Sequence, residues 1–220
     1  MARTPLPFRV IPCAEWGASD PSGAIARAGK PERSIFHHTA GHVPNSAAGE
    51  TYLEGVAYAR SIQRYHKSQG WVDSGHNFLV TRGGYIFEGR HGSLASIRVG
   101  RMVVSAHCPG QNDQPGVEHE HQGSEAMTPI QREASVWLHA WIAESCGITP
   151  PNLMLPHRRY YSTSCPGSIE KEIPALRARV IDELHPPDDV EAWYAKYGPK
   201  RKPPWFFPLL REAQKRYGAK

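Results

Sequence analysis

Between His157 and Gly167 the chain reads HRRYYSTSCPG, which sets a histidine and a cysteine eight residues apart with Pro166 and Gly167 directly behind the cysteine. Imidazole nitrogen and thiolate sulfur are donors that zinc favours, and a tight loop would bring the two together. A catalytic zinc site takes three protein ligands and keeps a fourth position open for water, so a third donor must come from elsewhere. The best candidate is SIFHHTAG, where Ser34, Ile35 and Phe36 carry His37 and His38 to the end of an expected strand. Successive side chains of a strand point to opposite faces. One of the two histidines is therefore the ligand, and the other lines a groove or pairs locally.

Several elements must hold these donors. Trp16, in EWGA, reads as a packing anchor in a loop. Residues 49 to 70 read as a helix: Leu53, Val56, Ala57, Ala59, Ile62 and Tyr65 form a stripe at helical spacing, and Gly70 supplies a stop. His66 falls in its last turn, where a protonated imidazole would complement the helix dipole. The runs HNFLVT and YIFEG flank Arg82-Gly83-Gly84 and predict a hairpin, with His76 opening its first strand. RMVVSAHCPG predicts a strand ending at His107. PGVEHEHQG predicts another, with Glu118 and Glu120 on one face and His119 and His121 on the other.

Charges on both faces of that last strand leave two readings. Either one face is a polar working site, or the strand is an exposed edge whose charges discourage pairing. Thr128-Pro129-Ile130-Gln131 opens a helix running to Gly147, with its aromatic residues in the core and His139 on the surface. A final helix is expected from Ala175 to Leu184. The sequence predicts a body of residues 1–185, followed by a linker and a short basic, aromatic extension over 186–220.

The 220 residues suffice for one full hydrophobic core. No apolar run approaches the roughly 18 to 20 residues that span a bilayer. The N-terminus lacks an apolar stretch of the secretory type, so the expected location is inside a cell, or outside it by another route of export. Cys13, Cys108, Cys146 and Cys165 are too few and too scattered for a disulfide framework. Of the net charge of +5, residues from Pro199 onward carry seven Lys/Arg against Glu212, or +6, leaving about −1 for the rest. A polyanion is therefore expected to meet the C-terminal extension and not the body. Without a stacking platform or a known motif, nucleic acid is not an expected partner.

In order along the chain, EWGA, FHHTAG, YHKSQGWVDSGHNFLVTRGGYIFEGR, SAHCPGQN, GVEHE and HRRYYSTSCPG resemble the zinc-dependent type 2 N-acetylmuramoyl-L-alanine amidases. That family includes the peptidoglycan recognition proteins and amidase-type phage lysins. The likeness covers roughly residues 8 to 184. It implies an α/β fold with a central mixed β-sheet flanked by helices. It also implies one zinc ion held by His37, His157 and Cys165, and hydrolysis of the amide between N-acetylmuramic acid and L-alanine.

By the same resemblance Glu118 is the general base, with His76 and Thr163 assisting the oxyanion. His38, His66, His107 and Asn112 are expected to line the substrate groove. Two departures stand out: His76 occupies a position where most relatives carry tyrosine, and Thr163 one where many carry lysine. Glu118 favours an enzyme, since recognition proteins tend to have an aliphatic residue there.

The expected setting is a monomeric phage endolysin. It would wait in the host cytoplasm and then act on the cell wall, its basic tail on an anionic wall polymer or membrane surface. The alternatives are a peptidoglycan-binding module without catalysis and a cytoplasmic muropeptide-recycling amidase.

Overall fold

The computed structural model describes residues 8–41 and 51–184. Its strands and helices in chain order are β1 (Val10–Ile11), α1 (Cys13–Trp16), β2 (Arg27–Ala28), β3 (Ile35–His38), α2 (Tyr52–Ser68), β4 (Phe78–Val80) and β5 (Ile86–Glu88). There follow α3 (Ser93–Ile97), β6 (Met102–Val103), β7 (Gly116–His119), α4 (Pro129–Cys146), β8 (Leu155–Pro156) and α5 (Ile173–Leu184). The predicted extension over 186–220 lies outside the described residues.

Six strands form one mixed sheet in the order β1-β5-β4-β7-β3-β8. Its one antiparallel pair is the hairpin β4/β5, and every other pairing is parallel. Gly84 supplies the positive φ of 77° in the hairpin turn. Parallel strands are joined by crossovers that cover the sheet with helices, so alternate side chains of each strand enter different cores. Phe36, Phe78, Val80, Ile86 and Val117 pack with α4 and α5. Ile11, Leu79 and Phe87 pack with Trp16 and the Val56, Tyr58 and Ala59 face of α2. The register Leu79↔Glu118↔His37 places Glu118 and His37 on the α2 face.

Helix α2 begins with a reciprocal capping box between Thr51 and Glu54, which satisfies two otherwise orphaned donors. Its apolar stripe is narrower than predicted. Leu53 and Tyr65 are 76% and 61% exposed, and the buried face is completed by Tyr58, Gln63 and His66. Helix α4 is capped by the Thr128 hydroxyl, which accepts from Gln131 N. The Gln131 side chain reaches instead to the carbonyls of Val80 and Glu120, tying the helix to the sheet.

One strand expectation is corrected, and one that was open is decided. The strand predicted to end at His107 stops at Val103, pairs with β2 in a separate two-stranded sheet, and leaves His107 on a loop. The GVEH strand is not an edge: β7 lies between β4 and β3, with Glu118, His119, Glu120 and His121 all buried. Trp16 does act as a packing anchor, in α1 rather than a loop, donating its indole N–H to Glu88 O at 3.0 Å.

Candidate metal centre

Strands β3 and β8 are parallel neighbours, and both end at the site. β3 delivers His37, and the turn that follows β8 delivers His157. A loop then returns the chain so that Arg158 N donates to Cys165 O at 3.0 Å. The result is that one donor atom from each of His37, His157 and Cys165 lies within 4.8 Å of the others. Cys165 Sγ is 3.7 Å from His37 Nδ1, and the His38 backbone N–H points at the same sulfur at 3.4 Å.

The donor set fits zinc on its own chemistry: two imidazoles and a thiol make three ligands, as a catalytic site needs. All four cysteines are free, so no disulfide consumes the Cys165 sulfur. Nε2 of His157 is buried without a hydrogen-bond partner, a vacancy in its bonding that a cation would fill. Burial pushes the Cys165 thiol up to about 12, so it holds its proton until a positive charge arrives. Burial, with repulsion from His76, His107 and His157, holds His37 well below the ordinary imidazole value, and His157 is lowered to about 4 by burial, His76 and His38. Both rings are therefore neutral near pH 7, the state in which imidazole ligates metals.

Glu118 stands beside this cluster. Its Oε2 is 2.7 Å from His76 Nδ1, an ion-pair distance without the alignment of a hydrogen bond. Burial alone would raise the Glu118 carboxyl. Attraction to His76, with smaller help from His66 and His38, outweighs that, and the group sits below the usual carboxylate value. A carboxylate kept ionised while 3% exposed is equipped to accept a proton.

The other expected residues separate by position. His66 is buried and stacks on Trp71 with ring centres 4.6 Å apart. Its Nδ1 accepts from Gly75 N at 3.0 Å, and burial lowers it to about 4. The alternative of a protonated cap on the helix dipole therefore falls away. His38 points to the opposite side from His37, toward His121, with ring centres 5.6 Å apart. His107 is 5% exposed, its Nδ1 is 2.9 Å from His37 Nε2, and its Nε2 is 2.9 Å from Gln114 O. Asn112 Oδ1 accepts from Cys108 N, which closes the loop carrying His107. Thr163 Oγ1 accepts from Cys165 N at 3.2 Å. With Arg158, Arg159 and Tyr161 it lines an open cavity of about 680 Å³.

Some participants were not predicted. His139, expected at the surface, is fully buried: its Nδ1 donates to Ser135 O, and its ring lies parallel to that of His119. His119 in turn donates from Nδ1 to the carbonyl of His37 at 3.0 Å and receives the Ser135 hydroxyl at Nε2. Alternation in VEHEH marked that strand as polar, but no local signal names Ser135 or Gln114 as the partners.

Residues 27–168 match the family described as N-acetylmuramoyl-L-alanine amidase. Peptidoglycan-recognition protein SC1a/b of Drosophila simulans is 38% identical over 162 residues, covering 72% of this chain and 80% of that protein. The N-acetylmuramoyl-L-alanine amidase of Homo sapiens is 31% identical over 166 residues, 72% of this chain but 26% of that longer protein. Among solved structures, peptidoglycan recognition protein-LE in complex with tracheal cytotoxin, a monomeric diaminopimelic acid-type peptidoglycan, superimposes with a TM-score of 0.61. It is 28% identical, covering 74% of this chain and 92% of that one. With the sheet order, the loop that carries His157 and Cys165, and these matches in agreement, the chain belongs to the type 2 N-acetylmuramoyl-L-alanine amidase and peptidoglycan recognition protein family.

Proposed function

We propose that this chain is a zinc-dependent amidase that hydrolyses the bond between N-acetylmuramic acid and L-alanine in bacterial peptidoglycan. The observation that carries the reading is a three-donor cluster spanning no more than 4.8 Å beside a buried, ionised Glu118. His37, His157 and Cys165 would hold the ion. Zinc bound there would supply Lewis acidity toward water and toward the scissile carbonyl.

The protein's own groups have separable tasks. Glu118 takes a proton from the attacking water and returns it to the departing L-alanine nitrogen. His76 turns Nδ1 to Glu118, so Nε2 is the nitrogen left for the substrate, and it donates to the developing oxyanion when the ring carries both protons. In the family this chain resembles, a tyrosine at this position is assigned to water activation or to the oxyanion. The Thr163 hydroxyl accepts from Cys165 N, which leaves its own O–H as a second donor for the oxyanion. His38, His66, His107 and Asn112 were expected to line the groove. Of these, His66 best suits contact with the stem peptide or glycan, being packed against His76 with ring centres 5.6 Å apart.

The biological setting that best accompanies this activity is a phage or prophage endolysin acting as a monomer. It is held in the host cytoplasm until lysis, then acts on the cell wall. The +6 charge carried from Pro199 onward supports attraction to an anionic wall polymer or membrane surface. Glu118 speaks against the competing reading of a recognition module that binds without cutting.

The deciding experiment incubates the zinc-loaded full chain with cell walls of several peptidoglycan types and measures new L-alanine amino termini. Release is expected from at least one type. Binding to walls with no release from any of them would replace the enzyme by the recognition module.

A further inference from the structure

Nothing outside His37 decides, from the cluster alone, which of its two ring nitrogens meets the ion. A neutral imidazole has one N–H and one lone pair, and only the lone pair can ligate. The choice is made by two residues beyond it, His107 and Gln114. His107 Nε2 is 2.9 Å from the carbonyl oxygen of Gln114. A carbonyl only accepts, so His107 carries its proton on Nε2 and presents a lone pair at Nδ1. That lone pair is 2.9 Å from His37 Nε2, which must then be the protonated nitrogen of His37. Nδ1 of His37 is left bare, 3.7 Å from Cys165 Sγ.

The relay is built rather than incidental. The Gln114 main chain is pinned by its own N–H to Gln111 O at 3.0 Å. Its side-chain Oε1 accepts from Glu32 N and Arg33 N. His107 lies so close over β7 that a Cβ on Gly116 would sit 2.4 Å from its ring, so the first residue of the strand must be glycine for the ring to enter. The His107 ring is 5% exposed, which keeps water from competing for either nitrogen.

We propose that His107 is a positioning residue which, anchored by the Gln114 carbonyl, locks His37 in the Nε2–H tautomer and thereby designates Nδ1 as the donor offered to zinc. This rests on the metal-site reading above, and it moves His107 from the substrate groove to the support of a ligand. Outer partners of this kind orient ligating imidazoles, and losing one typically weakens metal binding by about 10- to 100-fold.

The test begins with the metal-free full chain labelled with nitrogen-15. Long-range proton–nitrogen correlation spectra should show both His37 and His107 protonated at Nε2 and bare at Nδ1. Zinc affinity is then measured by chelator competition. His107→Leu should bind roughly 10- to 100-fold more weakly than the unaltered chain. His107→Asn, whose amide oxygen can stand where Nδ1 stood, should recover most of that loss.

His37 protonated at Nδ1 in the metal-free chain would overturn the proposal, as would unchanged zinc affinity in His107→Leu, or His107→Asn no better than His107→Leu. If His107→Leu does not fold, the spectra of the unaltered chain decide. If the unaltered chain binds no zinc at all, the metal-site reading fails, while the spectra still report whether the relay exists.

Discussion

Glu118 Oε2 lies 2.7 Å from His76 Nδ1, and this contact joins an interior strand to the loop that leads into its neighbour β4. Burial by itself would raise the Glu118 carboxyl and favour its protonated form. The histidine offsets that burial, so a carboxylate on the floor of a sheet keeps its charge. His76 thus helps to hold the charge on Glu118, the carboxylate proposed above as the base.

Glu118→Gln keeps the shape and removes the proton acceptor. Turnover on a susceptible cell wall should fall about 10²- to 10⁴-fold, the usual worth of a positioned base, while zinc content is unchanged. An unaltered rate would remove Glu118 from the mechanism and leave the fold assignment standing.

His76→Phe should shift the pH dependence. Attraction to His76 lowers the Glu118 carboxyl, so deleting the partner raises it, and the fraction ionised at a given acidic pH falls. The acidic limb of kcat/KM should therefore move to higher pH, measured between pH 4 and 8 on soluble muropeptide. A limb that stays in place would show that the contact does not set the base.

Zinc should stabilise the chain through His37, His157 and Cys165. At zinc 100-fold above its Kd the gain is about 2.7 kcal/mol, read as a rise in Tm, and Cys165→Ser should lose most of that rise. Because burial holds the metal-free Cys165 thiol protonated, up to about 12, loading near pH 7 must release a proton. Calorimetry in buffers of different ionisation enthalpy should detect roughly one proton per ion; no release would mean that the thiolate is not a ligand.

His139 should sensitise the fold to acid. Its ordinary value of 6.5 is lowered by burial to about 4 in the folded chain, so the unfolded chain takes up the proton first as pH falls. The stability is fully present above 6.5 and is lost between 6.5 and about 4. The loss is about 3 kcal/mol from this residue. Urea unfolding at pH 7 and pH 4 should show a smaller decline in His139→Leu than in the unaltered chain; equal declines would place the acid sensitivity elsewhere.

Much of the site was legible along the chain because ligand chemistry is carried by residue type and short spacing. The His157 to Cys165 loop, the HHT strand end and the Glu118 strand could each be read locally, and their order revealed the family. Helix α2, the hairpin around Gly84 and the Thr128 cap were legible for the same reason, since periodicity, turn residues and caps act within a few positions. Assignments that depended on the far side of an interface were missed or stayed open. His139 looked like a surface residue, although α4 turns it against His119. For His66 the sequence left a groove residue or a cap for the helix dipole, and burial against Trp71, which keeps it neutral, decided against the cap. The Glu118 strand could have been an edge until β3 and β4 flanked it.

The sequence by itself determined which side chains can ligate a metal, which can move a proton, and the α/β architecture that carries them. Tertiary structure alone decided that Glu118 meets His76 and that Gln114 O reaches His107. The reason is physical: donor chemistry belongs to a residue, whereas burial, charge state and tautomer belong to its neighbours. Those neighbours are brought together by strand register and loop closure across 70 or more positions, as between His37 and His107.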